Sequence, residues 1–242
     1  MLGHTGTIRC IKFSKDGASE FQRLLSVGSG DFIPRVWELT KGTCTLLDCH
    51  SATVHACVWL SGNIVATGCE HGLILIHDIR LNPSTILQTH LPDNLEIFSM
   101  IFAPFTNKHA GCIAGLLICG CTGGVCALFL LSDTGNKFNL DILLVRKTQD
   151  QDIRSMDIIS RQLNARVEEF LFLTTSFDQR SLVWNIKLDI SQPKRIVKLE
   201  LVSTLIGHTD KVLCGLLTTE GRGGALDVIT SGADGRLLCW SL

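Results

Sequence analysis

Residues 206–242 read IGHTDKVLCGLLTTEGRGGALDVITSGADGRLLCWSL, and their pattern decides how the chain is built. Gly207-His208 precedes an alternating apolar run from Lys211 to Leu217, and a polar, Gly-rich turn follows. Next come the strand-like LDVITSG, a turn at Asp234-Gly235 and a third strand closing on Trp240. Period-two alternation over short segments, punctuated by Asp-Gly and Gly-rich turns, marks antiparallel strands joined by tight hairpins.

The same unit recurs upstream. The runs TIRCIKF (7–13), TVHACVW (53–59), EIFSMIF (96–102) and DIRSMDII (152–159) align with KVLCGLL (211–217). Their first apolar position is Ile8, Val54, Ile97, Ile153 and Val212. Two residues on stand Cys10, Ala56, Ser99, Ser155 and Cys214, all small; five residues on stand Phe13, Trp59, Phe102, Ile158 and Leu217, all large. Each run leads through a second strand and a tight turn to a third strand, whose aromatic position reads Trp37, His77, Phe129, Trp184 and Trp240. More polar fourth strands are predicted at 43–47, 85–89, 139–146 and 198–205. The repeats divide one domain, 1–242, at about 3–47, 48–90, 91–146, 147–205 and 206–242. Extra length at 103–115, 132–139, 160–169 and 187–197 predicts long loops. Four-stranded sheets repeated radially make an all-β propeller, here with five recognisable blades, and the small position suits a crowded innermost strand.

The Gly-His pair, the Asp turn and the closing tryptophan resemble the WD40 repeat, with its Trp-Asp ending changed to Trp240-Ser241. The resemblance implies a buried chain of His, Ser or Thr, Asp and Trp in each blade, where every polar group has a partner and one packing is specified. In the fifth repeat these are His208, Thr230, Asp234 and Trp240. The first has His4, Asp31 and Trp37, with Val27 at the hydroxyl position; the fourth has Thr174, Asp178 and Trp184 without the histidine. The second keeps His50 and Thr67 and substitutes His71 and His77, and in the third only His90 matches. The cluster His50, His55, His71 and His77 invites a catalytic or metal-binding reading, but three of its members sit at the repeat's structural positions. WD40 rings commonly hold seven blades and close by sharing a blade between termini. The resemblance therefore predicts a partial or unlatched ring, completed by further repeats or by a partner chain's strand. A smaller five-bladed ring sealed by direct packing is the alternative.

Composition narrows the function. Hydrophobic residues make up 45% and charged residues 19%, and the net charge of −1 supplies no global attraction to nucleic acid or anionic membrane. No apolar run reaches the roughly 18 residues of a spanning helix, and MLGHTGTIRC is no signal peptide, so an intracellular location (cytoplasmic, nuclear or both) without membrane attachment is expected. The eleven cysteines are odd in number, sit mostly inside apolar runs and include no C-x2-C, which predicts buried thiols and no metal site. Phosphate-binding loops, dinucleotide fingerprints, nucleophile elbows and H-E-x-x-H are all missing, and Gly221-Arg222-Gly223-Gly224 reads as a flexible hairpin. A non-catalytic chain with no cofactor and no small-molecule substrate is expected.

In WD40 propellers the Gly-His loops and Asp turns share one face, commonly the binding face. The resemblance would display Phe32, His71, Phe177, Gln179, Arg180 and Arg236 there. Exposed aromatics and arginines anchor interfaces, although Phe177 could equally pack on the neighbouring blade. The expected role is a scaffold for protein partners in an intracellular multiprotein assembly. The alternative is RNA recognition by Arg146, Lys147, Arg154, Arg161, Arg166, Lys187, Lys194, Arg195 and Lys198. The layout of the second and fourth repeats is similar to WD-repeat subunits of RNA-handling assemblies. Against this, aromatics for base stacking are scarce at 6% with no tyrosine, and Asp150, Asp152, Glu168, Glu169 and Asp189 balance the basic residues.

Overall fold

Short alternating segments bounded by Gly, Asp and Pro fold as antiparallel strands in the computed structural model, which describes residues 3–14, 22–105, 114–133, 137–162, 167–189, 196–218 and 226–242. The first blade pairs β1 (Ile8–Phe13), β2 (Arg23–Gly28), β3 (Arg35–Glu38) and β4 (Thr43–Leu46) in that order. The second pairs β5 (Val54–Trp59), β6 (Ile64–Cys69), β7 (Leu73–Asp78) and β8 (Thr85–His90). The third holds β9 (Ile97–Pro104), β10 (Ala114–Cys121), β11 (Val125–Asp133) and β12 (Phe138–Lys147). The fourth holds β13 (Ile153–Gln162), β14 (Val167–Ser176), β15 (Arg180–Asp189) and β16 (Ile196–Ile206). The fifth has β17 (Val212–Thr218), β18 (Asp227–Gly232) and β19 (Leu237–Ser241). The architecture is a five-bladed β-propeller arrangement.

The core lies between blades, because each sheet buries its faces on its neighbours. Leu25, Val27, Val54 and Val65 fill the first junction; Ile74, Ile76, Leu117 and Phe129 the second; Ile118, Phe170, Phe172 and Trp184 the third; Leu173, Val183 and Val228 the fourth. Middle strands are therefore buried on both faces, as in β6, where all six residues are buried. Removing one such side chain, Phe170 for example, costs about 3–5 kcal/mol.

One sequence expectation, of long loops at 160–169 and 187–197, changes. The described part of this extra length lies entirely in strands: β13, β14 and β15 each run ten residues and β16 eleven, against four in β3. The cause is continued alternation, with Phe170 and Phe172 paired to Ile186 and Trp184 across the hairpin. Residues 163–166, 190–195 and most of 103–115 lie outside the described set. The ring, as expected, shows no latch among the described residues. Among the described residues no strand pairs with the outer edge of β19, and no core cluster joins the fifth blade to the first. Ile8 and Ile11 are 53% exposed on the first blade, and Leu216 and Leu237 are 51% and 68% exposed on the fifth.

Candidate functional site

Antiparallel pairing places the start of each inner strand beside the end of the second strand, so the loops before the first and the turns after the second share one face. One hydrogen bond repeats this in every blade: Ser29 N to Thr7 O, Glu70 N to Thr53 O, Thr122 N to Glu96 O, Phe177 N to Asp152 O and Ala233 N to Lys211 O. Behind this rim, radial polar chains tie the turns to the blades. In the fifth blade Trp240 Nε1 donates to Thr230 Oγ1 at 3.0 Å, Thr230 meets His208 Nε2 at 2.9 Å, and His208 Nδ1 reaches Asp234 at 3.0 Å. Amides of Thr209 and Arg236, with the His208 contact, draw the Asp234 carboxyl down to about 2 despite burial.

The first blade builds the same chain with Ser26, which accepts from Trp37 Nε1 at 2.8 Å and meets His4 Nε2 at 2.8 Å, while His4 Nδ1 lies 3.2 Å from Asp31. Val27, expected at the hydroxyl position, is instead core. An additional residue between strand and turn, Gly28-Ser29-Gly30 against Gly232-Ala233, shifts the count by one. The fourth blade joins Trp184 Nε1 to Thr174 Oγ1 at 3.4 Å, and buried Gln149 stands where a histidine is missing. Its Nε2 donates to Arg180 O at 3.0 Å and approaches Asp178 at 3.5 Å.

The second blade reverses the direction. His50 Nε2 lies 2.7 Å from Thr67 Oγ1, Thr67 lies 3.0 Å from His77 Nε2, and His77 Nδ1 lies 3.1 Å from Ser84 Oγ. The terminal carboxylate is Asp48, held low by Thr85 and Ser84, rather than a turn residue; His71 is exposed. Burial lowers His50 to about 3 and His77 to about 4, so both rings are neutral. In the third blade His90 is exposed and Phe129 fills the tryptophan position by apolar packing. Each chain links its members in series within the blade, with only His50 Nδ1 and Gln149 Oε1 left over, which is the chemistry of architecture.

The mouth of the arc is different. Every inner strand carries a β-bulge between its first apolar residue and the small one, so Arg9, His55, Phe98, Arg154 and Leu213 are the extra residues. Four of these converge. His55 meets the Phe98 ring at 5.2 Å, and the Arg154 guanidinium lies 4.1 Å over Phe98 and 5.0 Å over Phe177. Lys211 caps Phe177 at 4.7 Å, and Arg9 and Arg154 both lower His55 electrostatically. Glu70 and Glu96 face His55 at 3.7 and 3.2 Å. Burial pushes His55 and Arg154 down, and burial with Glu70 and Asp152 nearby pushes Glu96 up. At the other end of the inner strands, the large repeat positions Phe13, Trp59, Phe102 and Ile158 line a cavity of about 480 Å³.

The residues expected to meet partners divide accordingly. His71, Gln179 and Arg236 are exposed on the mouth face, and Phe32 is half-buried; Phe32 and Gln179 hold positive φ of 56° and 71°. Phe177 is half-buried between Arg154 and Lys211 and so bridges to the fifth blade. Arg180 is held by Asp150 and Asp178. Of the basic residues, Lys187 and Lys198 pair with Glu169 and Glu200, and Arg146 and Lys147 lie exposed on β12. The Arg161 side chain, Arg166, Lys194, Arg195 and residues 221–224 lie outside the described set. Of the bulge residues, Arg9, Phe98 and Leu213 were passed over in sequence because they sit between the two positions whose regularity is conspicuous, while His55 was named only within the histidine cluster and Arg154 only among the basic residues. Comparison with protein-family models and with curated protein sequences finds no match.

Proposed function

We propose that this chain is a WD40-type propeller that acts as a non-catalytic platform, gripping a protein partner on its mouth face. One observation carries the reading: Phe98, Arg154, Phe177 and Lys211, from three successive blades, form a continuous cation–π cluster on that face. Aromatic and arginine side chains held rigidly near the centre of a surface are the usual energetic anchors of an interface. The hydrogen-bond chains supply rigid support and engage His4 with Asp31 and His208 with Asp234 in that structural role. RNA recognition is the weaker reading, since Lys187 and Lys198 already face glutamates.

The test is stoichiometric capture from cell lysate by the immobilised chain, in parallel with Arg154→Glu and with Lys147→Glu on the outer strand. The reading expects a protein partner lost with Arg154→Glu and kept with Lys147→Glu. Capture of RNA that disappears steeply with added salt, or capture indifferent to Arg154, would overturn it.

A further inference from the structure

We propose that His55, Glu70 and Glu96 bind a divalent transition-metal ion, with Zn2+ as the reference ion, across the junction of the second and third blades. His55 is the bulge residue of β5, Glu70 follows β6, and Glu96 precedes β9. Their ligand atoms all lie within 4.8 Å of one another. The His55 side chain is only 8% exposed, and its Nε2 has no hydrogen-bond partner although Glu96 Oε1 is 3.2 Å away and Glu70 Oε1 is 3.7 Å away. A buried nitrogen that faces two carboxylates at ion-pair distance without a well-formed hydrogen bond is the feature that points to a cation, since buried polar groups are ordinarily well partnered.

The spacing suits a tetrahedral ion. Ligands about 2.0–2.1 Å from such an ion lie about 3.3 Å apart, between the two observed separations. Glu70 is already oriented, because its Oε2 accepts from Thr53 N at 3.3 Å and leaves Oε1 toward His55. One imidazole with two carboxylates selects a first-row transition ion over Mg2+ or Ca2+, which prefer oxygen alone. The surrounding charge also permits it. Arg154 is held over the Phe98 and Phe177 rings, and Glu70, Glu96 and Asp152 together outweigh Arg9 and Arg154. The ion would relieve repulsion between Glu70 and Glu96, clamp two blades and leave a fourth position for water on the mouth face. This inference stands independently of the partner reading.

The experiment is titration of the metal-stripped 242-residue chain with Zn2+ against a competing chelator, with Co2+ as spectroscopic reporter and thermal unfolding as a second readout. One ion per chain is expected, with a rise in Tm and cobalt ligand-field bands free of thiolate charge transfer. Glu96→Gln and Glu70→Gln are near-isosteric at partly exposed positions, and each should weaken binding at least about tenfold and abolish the Tm rise. Absence of saturable binding would overturn the proposal. So would affinity unchanged in both variants, or a thiolate-dominated cobalt spectrum assigning the ion to exposed cysteines such as Cys44 and Cys214.

Discussion

Thr67→Val offers the sharpest test of the reversed chain in the second blade. The substitution keeps the shape of a fully buried side chain and removes only the hydroxyl that links His50 and His77. Both rings are neutral, so the loss is of two ordinary hydrogen bonds rather than of a charge pair. Two buried imidazole nitrogens become orphans at about 1–3 kcal/mol each, and His50 Nδ1 already has no partner, which leaves that ring wholly unsatisfied. Allowing for shared relaxation, the expected destabilisation is about 3 kcal/mol, or about 6–12 °C in Tm for a domain of this size. Thr67→Ser, which keeps the hydroxyl and loses one methyl group, should cost about 1 kcal/mol. Thermal unfolding followed by circular dichroism and by tryptophan fluorescence gives both values and checks that the probes coincide. A Thr67→Val protein as stable as wild type, or less affected than Thr67→Ser, would refute the network.

Other perturbations follow from the same geometry. Below pH 6.5 the unfolded chain protonates His50 and His77, while the folded chain keeps them neutral down to about 3 and about 4. This contribution to stability is therefore full above pH 6.5. It declines as pH falls, by up to about 1.4 kcal/mol per unit for each histidine, and levels off near the folded values; denaturant titrations of His50→Gln between pH 7 and 4 should show a shallower slope. Gly232→Ala places a Cβ 2.5 Å from His208 Nδ1 and 2.7 Å from Asp234 Oδ1, and should cost about 1–3 kcal/mol with faster amide exchange in β18. Gln149→Leu removes the donor to Arg180 O and should cost about 1–2 kcal/mol in thermal unfolding, with Asp178 still bound by the Asp150 amide.

The strands were legible in the sequence because each carries its own period-two pattern and its own turn. The fourth strands β4, β8, β12 and β16 fall where residues 43–47, 85–89, 139–146 and 198–205 pointed. The fifth-blade network was equally plain, since all of its members occur at regular spacing. Ser26 was missed because one extra residue before Asp31 breaks that spacing, and Gln149 because an amide replaces an imidazole in the same pocket. Asp48 was missed for a different reason: it closes the second-blade chain from the opposite side, which only three-dimensional proximity reveals. The mouth was the least visible part. A bulge changes which way a side chain points without changing the alternation on either side, so Arg9 and Phe98 looked like ordinary strand residues, and nothing in the pattern joined His55 of the histidine cluster to Arg154 of the basic set.

The central claim is that the mouth face binds a partner, and hydrogen–deuterium exchange of the chain with and without its captured partner tests it most directly. Protection should appear in the segments around 53–55, 70–72, 94–98, 152–154 and 177–179, while exchange in β4, β8 and β12 stays unchanged. Protection confined to those outer strands, or to the open edge of β19, with the mouth segments unaltered, would contradict the account.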